Sequence, residues 1–306
     1  LKILKNAPLQ EELIFCRINK GYHVRRIFMQ HQNTIGRPVT YTGIGLHSGR
    51  DVTITLKPAS VDTGIVFERV DLPGSPQVAA KASNVTAAMR ATTLESGAAK
   101  VFTVEHLLAA FSAMQVDNCL VEIDSVEPPV ADGSALPFVE LIQQAGIKEQ
   151  DAARRVLAVS TAQVVRHSDK FITILPYDGL RITFTSINSH PLLGVQFGDY
   201  EITPEVFVKE LAPARTIGFM HEVEALQAQG LALGGSLENA VVYDDNTVLT
   251  PLRFEDELVR HKILDVIGDV ALAGCVRGHI IAVKSGHALN TAVAQKILAN
   301  TSDCLA

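Results

Sequence analysis

Residues 255–273 read Glu-Asp-Glu-Leu-Val-Arg-His-Lys-Ile-Leu-Asp-Val-Ile-Gly-Asp-Val-Ala-Leu-Ala. Apolar residues recur through this stretch at helical spacing, which predicts one long helix. His261, Asp265 and Asp269 follow one another at intervals of four, so the three side chains share one helix face. Such a row on an otherwise apolar helix is costly if it is buried without partners. A metal ion or ion pairs would offset that cost. A solvated stripe paired with Arg260 or Lys262 fits the same spacing equally well.

Working outward, the helix is followed by a strand at His279–Lys284 and a last helix at Ala288–Asn300. It is preceded by strand-like runs at Val156–Val165, Phe171–Leu175 and Leu180–Ile187. The first half has the same order. Alternation runs from Pro38 to Pro58, with Val52, Ile54 and Leu56 on one face, and shorter runs follow at Gly64–Val70 and Val78–Val85. A helix then begins with Thr103 as its expected N-cap and Glu105 in the first turn. It continues through Leu107, Leu108, Phe111 and Met114. A strand (Asn118–Ile123), a turn-rich loop (Glu127-Pro-Pro-Val-Ala-Asp-Gly-Ser) and a second helix (Leu136–Ala145) complete the half, with Gly146 suited to the C-cap. The polar run 147–155 reads as a linker. The repeated order predicts an α+β fold of two similar domains, 29–150 and 151–306, each a sheet with helices on one face. The second domain carries an extra block at about 200–245 that reads as strand, helix, strand. Its apolar content suggests that it lines something greasy.

The chain has 306 residues, 47% of them hydrophobic and 20% charged, which is the composition of a globular protein with ample core. A net charge of −6 argues against nucleic-acid binding. No apolar run is long enough for a membrane span, and no signal peptide is recognisable. The four cysteines form no CxxC pair, as expected of reduced thiols in the cytoplasm. Residues 1–28 are basic, and Met29 sits just before the first clear strand. They read as an upstream extension outside the fold, disordered or non-native, with a basic arm for a partner or membrane surface as the alternative.

A second stretch answers the first. In Thr103-Val-Glu-His-Leu-Leu-Ala, Glu105 and His106 stand side by side in the first helical turn. Neutral imidazole is a zinc ligand, and a hydrolytic metal site needs a nearby base. A polar helix start without any ligand is the plainer alternative. His287 opens the last helix after Gly286, where the helix dipole disfavours imidazolium. A carboxylate such as Asp269 would restore its proton and make it a general acid; a simple turn histidine is the alternative. His167 and His221 read as surface residues, and His190 and His279 are open to either role. Gly43-Ile-Gly-Leu-His-Ser-Gly is glycine-rich, yet no clear helix follows it, so as a phosphate loop it is weak.

Taken together, the motifs resemble those of the zinc-dependent UDP-3-O-acyl-N-acetylglucosamine deacetylases of lipid A biosynthesis. The resemblance runs from about Met29 to the C-terminus. It rests on Tyr41-Thr-Gly-Ile-Gly-Leu-His-Ser-Gly, Thr103-Val-Glu-His-Leu-Leu-Ala, Ala131-Asp-Gly-Ser-Ala, Ala214-Arg-Thr-Ile-Gly-Phe, Leu233-Gly-Gly-Ser, Arg253-Phe-Glu-Asp-Glu-Leu-Val-Arg-His-Lys-Ile-Leu-Asp and Lys284-Ser-Gly-His-Ala-Leu-Asn. It implies one Zn2+, or Fe2+ in its place, held by His106, His261 and Asp265. It implies Glu105 as general base and His287 as general acid, with Asp269 orienting His287. It further implies Thr216 as hydrogen-bond donor to the oxyanion and Lys262 as a positive contact beside the site.

The same resemblance places the active site between the two domains and makes the 200–245 block an acyl-chain passage. That passage would be lined by Met220, Val223, Leu226, Gly235, Ser236, Ala240 and Val242. Lys262, Lys284 and His47 are the expected counter-charges for the substrate's diphosphate. The implied protein is a cytoplasmic monomer acting on an acylated UDP-sugar, at most peripheral to the inner membrane, with neither nucleic-acid partner nor stable membrane insertion. Two positions depart from the pattern. Ile217 stands where Phe is common, and Asn188, upstream of His190-Pro191, replaces another aromatic. Two other readings stay open: an amidase of the same fold acting on a different N-acyl sugar, and a non-catalytic lipid or nucleotide binder with a structural metal.

Overall fold

The structure, a computed structural model, describes residues 30–301 together with the backbone of the strands Glu12–Ile18, Gly21–Ile27 and Cys304–Leu305. The first two of these strands pair with each other as a hairpin. The rest of the stretch expected to lie outside the fold falls outside the described residues.

Six helices are present among the described residues: α1 (Glu105–Ala113), α2 (Leu136–Ala145), α3 (Pro204–Val206), α4 (Met220–Ala228), α5 (Glu257–Val270) and α6 (His287–Asn300). They accompany two large sheets, and the whole is of the mixed α+β kind that the element order predicts. In the first sheet the spatial order is Val39–Ile44, Asp51–Pro58, Cys119–Ile123, Ile65–Arg69, Gln77–Ala79. Its central strand is antiparallel to Asp51–Pro58 and parallel to Ile65–Arg69. The second sheet repeats the scheme. Its central strand Cys275–Val283 is antiparallel to Lys170–Leu175 and parallel to Leu180–Ile187, and each of these pairs outward with its own hairpin partner. In both sheets the central strand lies between two helices in sequence, α1 and α2 in the first case and α5 and α6 in the second.

Strand formation follows the side-chain alternation. In Asp51–Pro58 the residues Val52, Ile54 and Leu56 are buried while their neighbours face outward. Helix α1 is buried on nearly every side: of Glu105–Ala113 only Ser112 is not fully enclosed. Such a helix needs partners all round, and α1 packs against α2 and α5. Gly268 makes the approach to α5 possible. A Cβ there would lie 2.0 Å from the Glu105 carbonyl oxygen, inside any tolerable contact. The two helices that carry the His and carboxylate motifs are thereby pressed together at the motifs themselves.

Three sequence expectations need correction. Thr103 is not the N-cap of α1. The helix starts after Val104 with no side-chain cap, and Thr103 has a positive φ of 55° and directs its hydroxyl to Glu127 Oε2 at 3.1 Å. The polar run 147–155 is not a linker either, because Ile147–Ala153 is a strand antiparallel to His31–Ile35. Its side chains are largely solvated, so composition concealed a segment held by backbone bonds. The run Val156–Val165 is two strands, Arg155–Ala158 and Gln163–His167. The 200–245 block does contain a βαβ unit: Ile217–Phe219 and Val241–Tyr243 are parallel, with α4 between them.

Candidate metal centre and its apolar passage

Among the described residues, His106, His261 and Asp265 bring one ligand atom each within 4.8 Å of one another, and all three are buried. Asp265 Oδ1 lies 3.4 Å from His261 Nε2 and 3.7 Å from His106 Nε2. His261 is oriented by its other nitrogen, with Nδ1 3.1 Å from the Ala214 carbonyl. That bond places the proton on Nδ1 and turns the Nε2 lone pair toward the cluster. Burial, reinforced by the neighbouring His261, pushes His106 down to about 3, so its imidazole is neutral. Burial likewise lowers His261. Burial would raise Asp265, but the charges around it, Lys262 foremost, hold it well below the usual carboxylate range.

One atom tests whether a cation fits. Asp265 Oδ2 accepts from Lys262 Nζ at 2.8 Å, but Oδ1 is buried without any hydrogen-bond partner. A buried carboxylate oxygen left unsatisfied is expensive. Two neutral imidazoles and this oxygen form a three-ligand N/N/O donor set of the kind that holds catalytic zinc with a position left open.

Two further groups flank the cluster. Glu105 Oε2 accepts the Thr92 N–H at 3.1 Å, and Oε1 faces His287 Nε2 at 3.8 Å. Burial, against the opposing pull of His287, raises the Glu105 carboxyl to about 7. Across from it, His287 Nδ1 is 2.8 Å from Asp269 Oδ2. Burial alone would lower His287, but Asp269, Glu105 and Asp265 together raise it to about 10. Asp269 is itself fixed by Asn290 Nδ2 at 2.9 Å and by the Thr92 hydroxyl. A carboxylate able to take a proton and an imidazolium able to give one therefore face each other over the ligand cluster. Thr216 completes the wall. Its N–H donates to the Gly133 carbonyl and its carbonyl accepts from Val241, both at 2.8 Å.

Glu105, His106, Thr216, His261, Lys262, Asp265 and His287 line a cavity of about 160 Å³. It shares Leu46, His47, Arg90, Thr216 and Ile217 with a neighbouring cavity of about 270 Å³ formed by the βαβ block. All seven predicted passage residues, Met220, Val223, Leu226, Gly235, Ser236, Ala240 and Val242, line this second space.

Residues 32–299 match the family model described as LpxC, UDP-3-O-acyl N-acetylglycosamine deacetylase. The chain belongs to the LpxC family. It is 47% identical over 279 residues to the UDP-3-O-acyl-N-acetylglucosamine deacetylase of Syntrophotalea carbinolica, covering 90% of each chain. It is 48% identical over 279 residues to that of Geobacter sp. and 46% identical over 278 residues to that of Pseudomonas entomophila. These matches cover 90% of this chain and 91% of the relative in the first case, and 89% and 92% in the second.

Within this LpxC chain, every ligand, base and acid residue singled out from the sequence is brought to one cavity. Asp269 stands behind His287, and Lys262 caps Asp265. Lys284 is placed differently. It ion-pairs with Asp169 on the adjacent turn and lines neither cavity. His47 is at the join of the two cavities, but burial lowers it and its Nδ1 accepts the Ala232 N–H at 3.3 Å, so it offers a neutral ring there. The glycine-rich loop also has an internal occupant. The N–H groups of His47 and Ser48 donate to the Glu127 carboxylate at 3.0 and 2.6 Å. Sequence reading missed Thr92, which bridges Glu105 and Asp269, and Arg90, which lines both cavities. Neither lies in a helix or has a periodic neighbour, so no local pattern marks them.

Proposed function

We propose that this protein removes the N-acetyl group from a UDP-3-O-(3-hydroxyacyl)-N-acetylglucosamine, releasing acetate, as a zinc-dependent step of lipid A biosynthesis. The observation that carries the reading is the facing pair Glu105 and His287 over the His106/His261/Asp265 cluster, in a cavity continuous with an apolar passage. That the seven-stranded second sheet contains the hairpin–centre–hairpin order of the first supports reading the molecule as two similar domains with the site between them.

Zinc held by His106, His261 and Asp265 would supply Lewis acidity toward a water and toward the acetamide carbonyl. The protein's own groups do the rest. Glu105 takes a proton from the water that adds to the carbonyl carbon. The Thr216 hydroxyl donates to the carbonyl oxygen as it gains charge. The C–N bond breaks, and His287 hands its proton to the departing sugar amine. Asp269 keeps His287 protonated and aimed, and Thr92 ties Asp269 to Glu105 so that acid and base keep their separation. Lys262 stays charged because its contact with Asp265 outweighs burial. The acyl chain occupies the space under α4.

The test is acetate release from the acylated UDP-sugar before and after chelation. Activity should vanish with the metal and return when zinc is restored. Undiminished release by protein shown to be metal-free would overturn the proposal.

A further inference from the structure

A substrate with its acetamide at the metal cluster and its acyl chain under α4 must pass the join between the two cavities. The part of the substrate at the join is the polar head of the acyl group, its ester carbonyl and 3-hydroxyl. Among the described residues, Arg90 is the one cation that lines both cavities. The other expected cations are engaged elsewhere, Lys262 with Asp265 and Lys284 with Asp169. Arg90 holds a positive φ of 65°, a conformation that side chains avoid unless their surroundings require it. Its Nη1 bonds Glu222 Oε2 of α4 at 2.9 Å, and the Arg90 side chain is 52% exposed. An exposed ion pair of this kind contributes little to stability, so it does not account for the strained backbone. The guanidinium carries five donors, and this bond uses one of them.

Resting on the deacetylase reading above, we propose that Arg90 is a specificity-determining residue that hydrogen-bonds the oxygen-bearing head of the acyl group at the join of the two cavities. Glu222 holds the guanidinium at that position from the α4 side. Arg90 thus recognises the presence of an O-linked acyl chain, and the metal cluster acts on the amide irrespective of it.

The experiment compares kcat/KM for the 3-O-(3-hydroxyacyl) UDP-sugar with that for the same UDP-sugar lacking the acyl group. In Arg90→Ala the preference for the acylated substrate should fall about tenfold or more, the usual effect of losing a charged hydrogen bond, and chiefly through KM. Arg90→Lys should recover part of it. Glu222→Gln separates recognition from architecture. If Arg90 meets the substrate, Glu222→Gln keeps most of the preference, because the amide oxygen of Gln still accepts from the guanidinium and holds it in place. If the ion pair merely holds α4 in place, Glu222→Gln loses as much as Arg90→Ala, and the proposal is overturned. Equal losses on both substrates in Arg90→Ala would also overturn it. Wild-type protein that deacetylates neither substrate would instead refute the deacetylase reading, so the two failures are distinguishable.

Discussion

At the scale of single residues, the division of labour between Glu105 and its neighbours is set by environment. Adjacent in sequence, Glu105 and His106 titrate in opposite directions because burial disfavours whichever form is charged. Glu105→Gln should keep the metal, since Glu105 is outside the ligand cluster, and lower kcat by about 10²- to 10⁴-fold, the range for a general base. Metal analysis beside acetate release checks this, and near-normal turnover would remove Glu105 from the role. His261→Ala should lose the metal, because a histidine and a carboxylate alone make a weaker set. Full zinc occupancy in that variant would count against the assignment. That His261 and Asp265 share one helix face was legible from their spacing of four. Thr92 was not, since its importance comes from touching Glu105 and Asp269 at once, 13 and 177 positions away.

At the scale of elements, Arg215 and Glu257 explain why the Ala214-Arg-Thr segment sits still beside the metal cluster. Arg215 Nε donates to Glu257 Oε1 at 2.8 Å and the Arg215 N–H to the same oxygen at 3.0 Å, with both side chains buried. Ala214 on one side orients His261, and Thr216 on the other faces the cavity. Burial would raise Glu257, but its bonds to Arg215 and the Arg253 N–H lower it overall. A carboxylate lowered on folding contributes stability above its unfolded value, roughly 4.3, and loses that contribution as pH falls through the folded value. Glu257→Ala should therefore cost about 3–5 kcal/mol near neutrality by stranding Arg215, and the gap to wild type should narrow below about pH 4. Denaturant melts at pH 7 and pH 3.5 measure both effects; a gap independent of pH would show that the pair is not held ionised by the fold. The apolar helices were legible because their period is local. The strand Ile147–Ala153 was hidden because its partner lies more than a hundred residues upstream and its side chains stay in water.

At the scale of the whole molecule, the site exists because α1 and α5 come close enough for His106 to meet His261 and Asp265. Gly268→Ala places a methyl against the Glu105 carbonyl and must push the helices apart. We expect a loss of at least about 1–3 kcal/mol in stability together with weakened zinc binding. Thermal melts with and without added zinc check this, and an unchanged metal affinity would mean that the helices adjust elsewhere. Gly133 plays a parallel part with the βαβ block. A Cβ there would lie 2.0 Å from the Asn239 carbonyl oxygen, and its own carbonyl anchors Thr216.

Read alone, the sequence determined the α+β element order, the apolar faces, and two short polar motifs whose residue types suit a metal and its acid–base pair. Each of those signals lies within a few positions of itself, where spacing translates directly into direction. Only the tertiary structure decided that the two motifs meet and that Asp265 keeps an unsatisfied oxygen toward the histidines. It also decided that the glycine-rich loop wraps an internal carboxylate, and that Arg90, not Lys284, stands where the two cavities join. Those facts depend on contacts between segments far apart in the chain, and such contacts leave no periodic trace in the residues that make them.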